Sequence, residues 1–324
     1  MSKVDVTVAI PVLNGEEFLD DVLRALTTQR TDYKYEILII DSGSTDRTLD
    51  IIGTYKQVHL HQIPNTEFGH GKTRNLAVQL AHGDYVLFLT QDAVPAHDRW
   101  LDYMVEPFTL SDKVACVLGK QIPRADCFAT LKREVFEVFR SFGGDDAVVL
   151  HRKTQVHKDL VIANTFLSDA NSAVRKSIVS KEVPFRDVNY AEDQCMGIDV
   201  LNKGYIKAYA PLGGVFHSHN YHLRKYFRRK FDEAVGLREN TGQTLTAGRK
   251  ELVLGSLKST LHDWRFIMRD KDYGFFRKFH DMFWSPFYNV AHRLAIRMAT
   301  SKKMTAEKRQ KLSLETKHRK AAKD

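Results

Sequence analysis

The chain has 324 residues, 43% hydrophobic and 27% charged, the balance of an ordinary globular protein with room for one large core or two modest ones. Its 49 Lys and Arg against 40 Asp and Glu leave a formal charge of +9, which suits an anionic partner such as a nucleotide, a lipid surface or a nucleic acid. No basic-then-apolar leader and no window of about eighteen uninterrupted apolar residues occurs. The 3 cysteines are odd in number and lack metal-type spacing. Together these features predict a reduced, intracellular protein, cytoplasmic and able to work at the inner face of the cell membrane.

Val4 to Ile10 reads as a buried strand broken by Pro11, followed by a helix carrying Leu19, Val22, Leu23 and Leu26 with Asn14 as its expected N-cap. Glu36 to Ile40 is a second strand ending in Asp41-Ser-Gly-Ser-Thr-Asp46, and a short helix follows that Ser44 or Thr45 can cap. Val58 to Ile63 is a weaker third strand, and Gly69 to Asn75 opens another helix. Tyr85 to Leu89 is the central strand: an apolar run that stops at Thr90-Gln91-Asp92 and cannot pass Pro95. A helix around Trp100 to Phe108 and a strand at Val114 to Leu118 complete four strand–helix alternations, which imply a mostly parallel α/β sheet with helices on both faces.

The regularity then fades. Asp126 to Phe142 reads as a helix, Phe166 to Val174 as a short strand with a polar centre, and Glu192 to Val200 as a helix stopped by Asn202-Lys-Gly204. Tyr205 to Tyr209 and Gly214 to His217 read as two short strands, and from Tyr221 to about Thr300 the pattern is helical. The predicted organisation is a domain over 4–220, a helical region over 221–300 and a basic flexible tail over 301–324.

Strand ends converge on one rim in such a sheet, and this one offers Asn14, Asp41, Gln91 and Asp92 there. A carboxylate at that rim can hold a hard cation, and the cation a phosphate. Neither a Gly-x-Gly-x-x-Gly turn nor a Gly-Lys-Ser/Thr loop is present, which argues against dinucleotide and ATP sites.

Five segments in order, Val8-Ala-Ile-Pro-Val-Leu-Asn14, Ile39-Ile-Asp-Ser-Gly-Ser-Thr-Asp46, Gly71-Lys-Thr-Arg-Asn75, Phe88-Leu-Thr-Gln-Asp92 and Ala191-Glu-Asp193, resemble the motif set of family 2 inverting glycosyltransferases of the GT-A fold. The resemblance covers roughly residues 4 to 220. It implies a nucleotide pocket lined by Pro11, Asn14, Asp41 and the Ser-Gly-Ser turn through Gly43, with Arg74 near the donor diphosphate. It also implies Mg2+ or Mn2+ on the acidic motif and Asp193 as the base that deprotonates the acceptor. Asp193 opens a helix, where the dipole predicts an ionised carboxylate.

The family's usual Asp-x-Asp is reduced here to Thr90-Gln91-Asp92, so a further metal ligand is expected from His217 or His219 in Phe216-His-Ser-His-Asn-Tyr221. Those two departures resemble the bacterial branch that uses dTDP-L-rhamnose. Asp169 and Asn171 are expected in the sugar-binding wall. Arg224 and Arg228, one helical turn apart, offer a second phosphate contact.

Trp264 to Arg269 and Tyr273 to Trp284 alternate aromatics with cations. Such helices fit a membrane surface, where a lipid-linked saccharide acceptor would lie, or a homodimer seam. The competing functions are a UDP-hexose transferase, a nucleotidyltransferase and a non-catalytic nucleotide- or nucleic-acid-binding protein. The acidic Asn14-Gly-Glu-Glu17 and the lack of a recognition helix weigh against the last two.

Overall fold

The computed structural model describes residues 3–153, 163–188, 190–301 and 304–314. The chain divides into two compact units, one of residues 1–122 and 138–217, the other of residues 123–137 and 218–324.

The first unit is built on β1 (Val6–Val12), β2 (Tyr35–Asp41), β3 (Val58–Gln62) and β4 (Tyr85–Leu89), all parallel, in the order β3-β2-β1-β4. The connecting helices are α1 (Leu19–Thr27), α2 (Thr48–Gly53) and α3 (His70–Leu80). β1 and β4 are almost wholly buried, as expected of strands covered on both faces, and Val8, Ile10, Leu87 and Leu89 join Leu19, Val22 and Leu23 of α1 in the main core. Burying each such side chain stabilises the fold by about 1.5–3 kcal/mol.

Beyond β4 the sheet ceases to be parallel. β8 (Asn171–Arg175) runs antiparallel to β4 and to β6 (Val114–Ile122), and β6 pairs in parallel with β9 (Ile206–Phe216). The short β5 (Val94–Pro95) and β7 (Val149–His151) add antiparallel to β9. The sheet is therefore mixed rather than mostly parallel, because Asn171 to Arg175 inserts between two parallel strands. The two short strands expected over 205–217 are one strand, carried past Pro211 by an irregularity in its pairing with β6 near Gly119. α4 (Trp100–Val105) stops early, since Pro107 leads into a 3-10 turn.

Asn14 is no helix cap. It sits at φ 50°, its Oδ1 accepting from the Thr45 amide at 2.8 Å, while α1 begins only at Leu19. Nor do Ser44 or Thr45 cap α2: Asp46 accepts from the Thr48 amide at 3.0 Å.

The second unit is helical: α8 (Leu223–Thr241), α9 (Ser256–Arg269), α10 (Phe275–Ala299) and α11 (Ala306–Leu312), joined by the first turns of α5 (Ala129–Arg140). Polar bonds tie that early segment in. Buried Asp263 accepts from Arg133 at 2.5 Å, Thr130 at 3.0 Å and Asn289 at 2.6 Å, and Lys132 pairs with Asp270 at 2.9 Å. Within the stretch expected as a tail, Arg309 of α11 forms a two-pronged pair with Glu239 at 2.5 and 2.6 Å. Residues 302–303 and 315–324 of that tail lie outside the described residues.

Candidate active site

The rim at the carboxyl ends of β1, β2 and β4 is held together by side chains that read one another's backbone. Asp41 ends β2 fully buried, its carboxylate accepting from the Gly43 amide at 3.1 Å and the Ser44 amide at 3.2 Å. Gly43 takes φ 94°, which a residue with a Cβ adopts only with strain. Ser44 Oγ then accepts from the Asn14 amide at 2.9 Å. Pro11 lies upstream on β1, opposite Ile40. Asp41 thus shapes the loop, with lone pairs in reserve.

Gln91 grips the other side of the Asn14 loop. Its Oε1 accepts from the Leu13 amide at 2.8 Å, and its Nε2 donates to the carbonyls of Leu13 at 3.1 Å and Asn14 at 3.3 Å. A carboxylate could not donate to those carbonyls, which accounts for an amide where the family motif usually has an acid. Gln91→Glu is expected to lower stability by about 1 kcal/mol and to weaken nucleotide binding by loosening this loop, as read by denaturant midpoint and nucleotide titration.

Asp92, one residue on, faces His217, with Oδ2 and Nε2 3.6 Å apart. The imidazole is oriented from behind: its Nδ1 lies 3.0 Å from Gln121 Oε1, and Gln121 Nε2 donates to Ser168 Oγ at 3.0 Å. This arrangement puts the proton on Nδ1 and turns Nε2 toward the carboxylate, the tautomer a metal ligand needs. His219 follows two residues later, in the second unit.

Ser168 is joined by a peptide bond to Asp169, whose amide donates to Asp193 Oδ2 at 3.4 Å. After the one-turn α6 (Lys176–Val179), Asp193 is the second residue of α7 (Glu192–Asn202), and its Oδ1 accepts from the Gln194 amide at 2.7 Å. The helix enters on Ala191 at φ 63° and packs so closely that a Cβ on Gly197 would lie 2.0 Å from the Thr165 carbonyl oxygen. One chain of contacts therefore runs from Asp41 through Asn14, Gln91–Asp92, His217, Gln121 and Ser168–Asp169 to Asp193.

Asp193 differs electrostatically from its expected state. Burial first, then the Glu192 and Asp169 carboxylates, hold its carboxyl well above the ordinary range, against the opposing charge of Arg74. The half-charge of the helix terminus is outweighed by desolvation and two like charges. A carboxylate with a raised pKa is a stronger base.

Arg74 is likewise not a free phosphate ligand. It is buried on α3, its Nε against Asp169 Oδ2 and its Nη1 2.9 Å from Glu192 Oε1. Its charge serves to hold the acidic cluster around Asp193. Asn171 is no sugar wall: fully buried, it accepts from Trp100 Nε1 at 3.1 Å and donates to the carbonyls of Lys120 at 3.0 Å and Gly213 at 2.7 Å. In the second unit, Arg224 is exposed on the first turn of α8 and Arg228 half-buried one turn later. Sequence reasoning missed Gln121, although a polar residue near the end of an apolar strand was the signal available.

Residues 7–181 match the family described as Glycosyl transferase family 2. The chain is 33% identical over 232 residues to the O-antigen chain rhamnosyltransferase RfbN of Salmonella typhimurium, covering 71% of each chain. It is 34% identical over 233 residues to the O-antigen chain rhamnosyltransferase WbaN of Salmonella anatum, again covering 71% of each. In fold it resembles the mannosyltransferase PcManGT from Pyrobaculum calidifontis, solved in complex with GDP-Man and Mn2+, with a TM-score of 0.57 and 16% identity over 91% of this chain and 86% of that one. The ordered strand-end motifs, the GT-A-like sheet and these matches agree: this chain belongs to glycosyl transferase family 2 and is a glycosyltransferase.

Proposed function

We propose that the enzyme transfers L-rhamnose from dTDP-L-rhamnose, with inversion, to a saccharide or lipid-linked saccharide acceptor in cell-surface polysaccharide synthesis. The observation that carries the site is the contact chain linking the Asp41 rim, through Asp92 and His217, to Asp193. The choice of sugar is supported by the two rhamnosyltransferase relatives.

Asp193 is the base. The acceptor hydroxyl loses its proton to the Asp193 carboxylate as its oxygen bonds to the anomeric carbon. The bond from that carbon to the phosphate oxygen breaks on the opposite face, and its electron pair leaves with the nucleoside diphosphate. The Asn14 and Asp41 loops, with Pro11, hold the nucleoside. Asp92 and His217 would hold a divalent cation. Mg2+ prefers oxygens, and the imidazole favours the softer Mn2+. Bound there, the cation supplies charge neutralisation on the departing diphosphate. Gln91 is committed to its three bonds to the Leu13–Asn14 backbone.

A panel of nucleotide sugars with Mg2+, Mn2+ or EDTA, scored for release of the nucleoside diphosphate, tests the reading. dTDP-L-rhamnose with Mn2+ is the expected best donor mixture. A preference for a UDP-hexose would overturn the sugar assignment and leave the site intact. Asp92→Ala is expected to weaken Mn2+ binding about tenfold or more in the presence of the diphosphate, measured by the Mn2+ spin-resonance signal without turnover.

A further inference from the structure

α10 is amphipathic in the wrong sense for a helix whose outer face meets water. Its inward face buries Asp281, Ser285 and Asn289, while Phe276 is 86% and Phe279 72% exposed. The outward apolar residues, Phe276, Phe279, Phe283, Phe287, Val290 and Leu294, recur in steps of three and four, one continuous stripe on a helix. α9 carries a matching exposed stripe of Leu257, Leu261, Trp264 and Met268. The two helices run antiparallel with these stripes adjoining, since Trp264 Nε1 donates to the Met282 carbonyl at 2.9 Å and Lys278 Nζ to that of Met268 at 3.1 Å.

Charge separates the candidate occupants of this face. Lys258, Arg265, Arg269 and Lys271 are exposed beside the stripes. The carboxylates of the same segment are each engaged: Glu251 by Arg293, Asp263 by Arg133, Asp270 and Asp272 together by Lys132, and Asp281 by Arg277. A second copy would set like charges against like, whereas an anionic bilayer meets cations around an aromatic, aliphatic centre. We infer that the α9–α10 face of the second unit is a membrane-docking surface that takes an anionic lipid bilayer. It inserts Phe276, Phe279 and Phe283 among the acyl chains and sets Lys258 and Arg265 at the headgroups. Among the described residues no helix is long and apolar enough to cross a membrane, so the contact is peripheral. The inference holds whichever sugar is transferred.

The test is flotation of the full chain with vesicles of phosphatidylcholine alone or mixed with phosphatidylglycerol. The wild-type chain is expected to float with the mixed vesicles and far less with the neutral ones, and added salt should release part of it. F276S/F279S/F283S should lower the bound fraction at least tenfold and K258E/R265E about tenfold. Both should keep the wild-type circular dichroism and the release of nucleoside diphosphate in solution. The proposal fails if the wild-type chain ignores anionic vesicles, or if both variants bind them as it does. It fails equally if sedimentation shows a wild-type dimer that the triple variant reduces to a monomer, which would make a second copy the occupant.

Discussion

Asp193→Asn is expected to lower kcat by about 10²–10⁴-fold while leaving donor binding nearly unchanged, the range a positioned general base supplies. The amide keeps a carbonyl oxygen for the short bond from the Gln194 amide, so the helix entry should survive. Stability should not fall at neutral pH. The native carboxyl is held above its ordinary range by burial and by Glu192 and Asp169, so ionising it costs the folded state free energy that a neutral amide does not incur. The same shift fixes the pH profile: wild-type turnover should climb as pH rises through the raised pKa, and residual activity in the variant should lose that limb. Rapid-quench or coupled assays of diphosphate release across pH, beside thermal melts, read both. A well-folded Asp193→Asn protein with full turnover would remove the assigned base.

Much of this site could be read along the chain because strand ends in an α/β sheet are local signals. Pro11, Asp41 and Asp92 each follow an apolar run, and the sheet brings such ends together whatever lies between them. What could not be read are the partners contributed from far away. Gln91 looked like a deficient metal ligand because nothing local reveals that its amide clasps the Leu13–Asn14 backbone. Arg74 looked like a phosphate ligand until Asp169 and Glu192, about a hundred residues on, took its guanidinium. The helix dipole at Asp193 was legible and of the wrong sign for the outcome, since burial and like charges are tertiary facts. The same limit applies to the sheet: no local property of Asn171 to Arg175 announces that it will insert antiparallel between β4 and β6. Nor does the sequence of residues 123–137 show that they join the helical unit, which is decided by Asp263, Asp270 and Asp281.

Arg74→Gln is expected to cost about 3–5 kcal/mol of stability at neutral pH, the scale for removing one partner of a buried ion pair. The reason is the charge count. One guanidinium faces Asp169 and Glu192 directly and opposes the repulsion they exert on Asp193. Without it three carboxyl groups share a largely desolvated space. Asp169 is already raised in the native protein, by burial first, with Arg74 pulling the other way, so losing the arginine pushes it higher still. The sign of the pH dependence follows. Where a folded-state carboxyl titrates above its unfolded value, the folded protein holds a proton the unfolded chain has released, and stability falls as pH rises between the two pKa values. The variant should therefore regain much of its deficit on acidification from neutrality toward the ordinary carboxylate range, over which the wild-type protein, with Arg74 in place, gains less. Arg74→Lys should fall between the two, because a single ammonium restores charge without a planar fork that reaches both Asp169 and Glu192. Urea midpoints of the three proteins at neutral and mildly acidic pH decide the matter. Equal neutral-pH midpoints for wild type and Arg74→Gln would mean that the cluster is held by its backbone contacts alone, and Arg74 would again be available to the donor diphosphate.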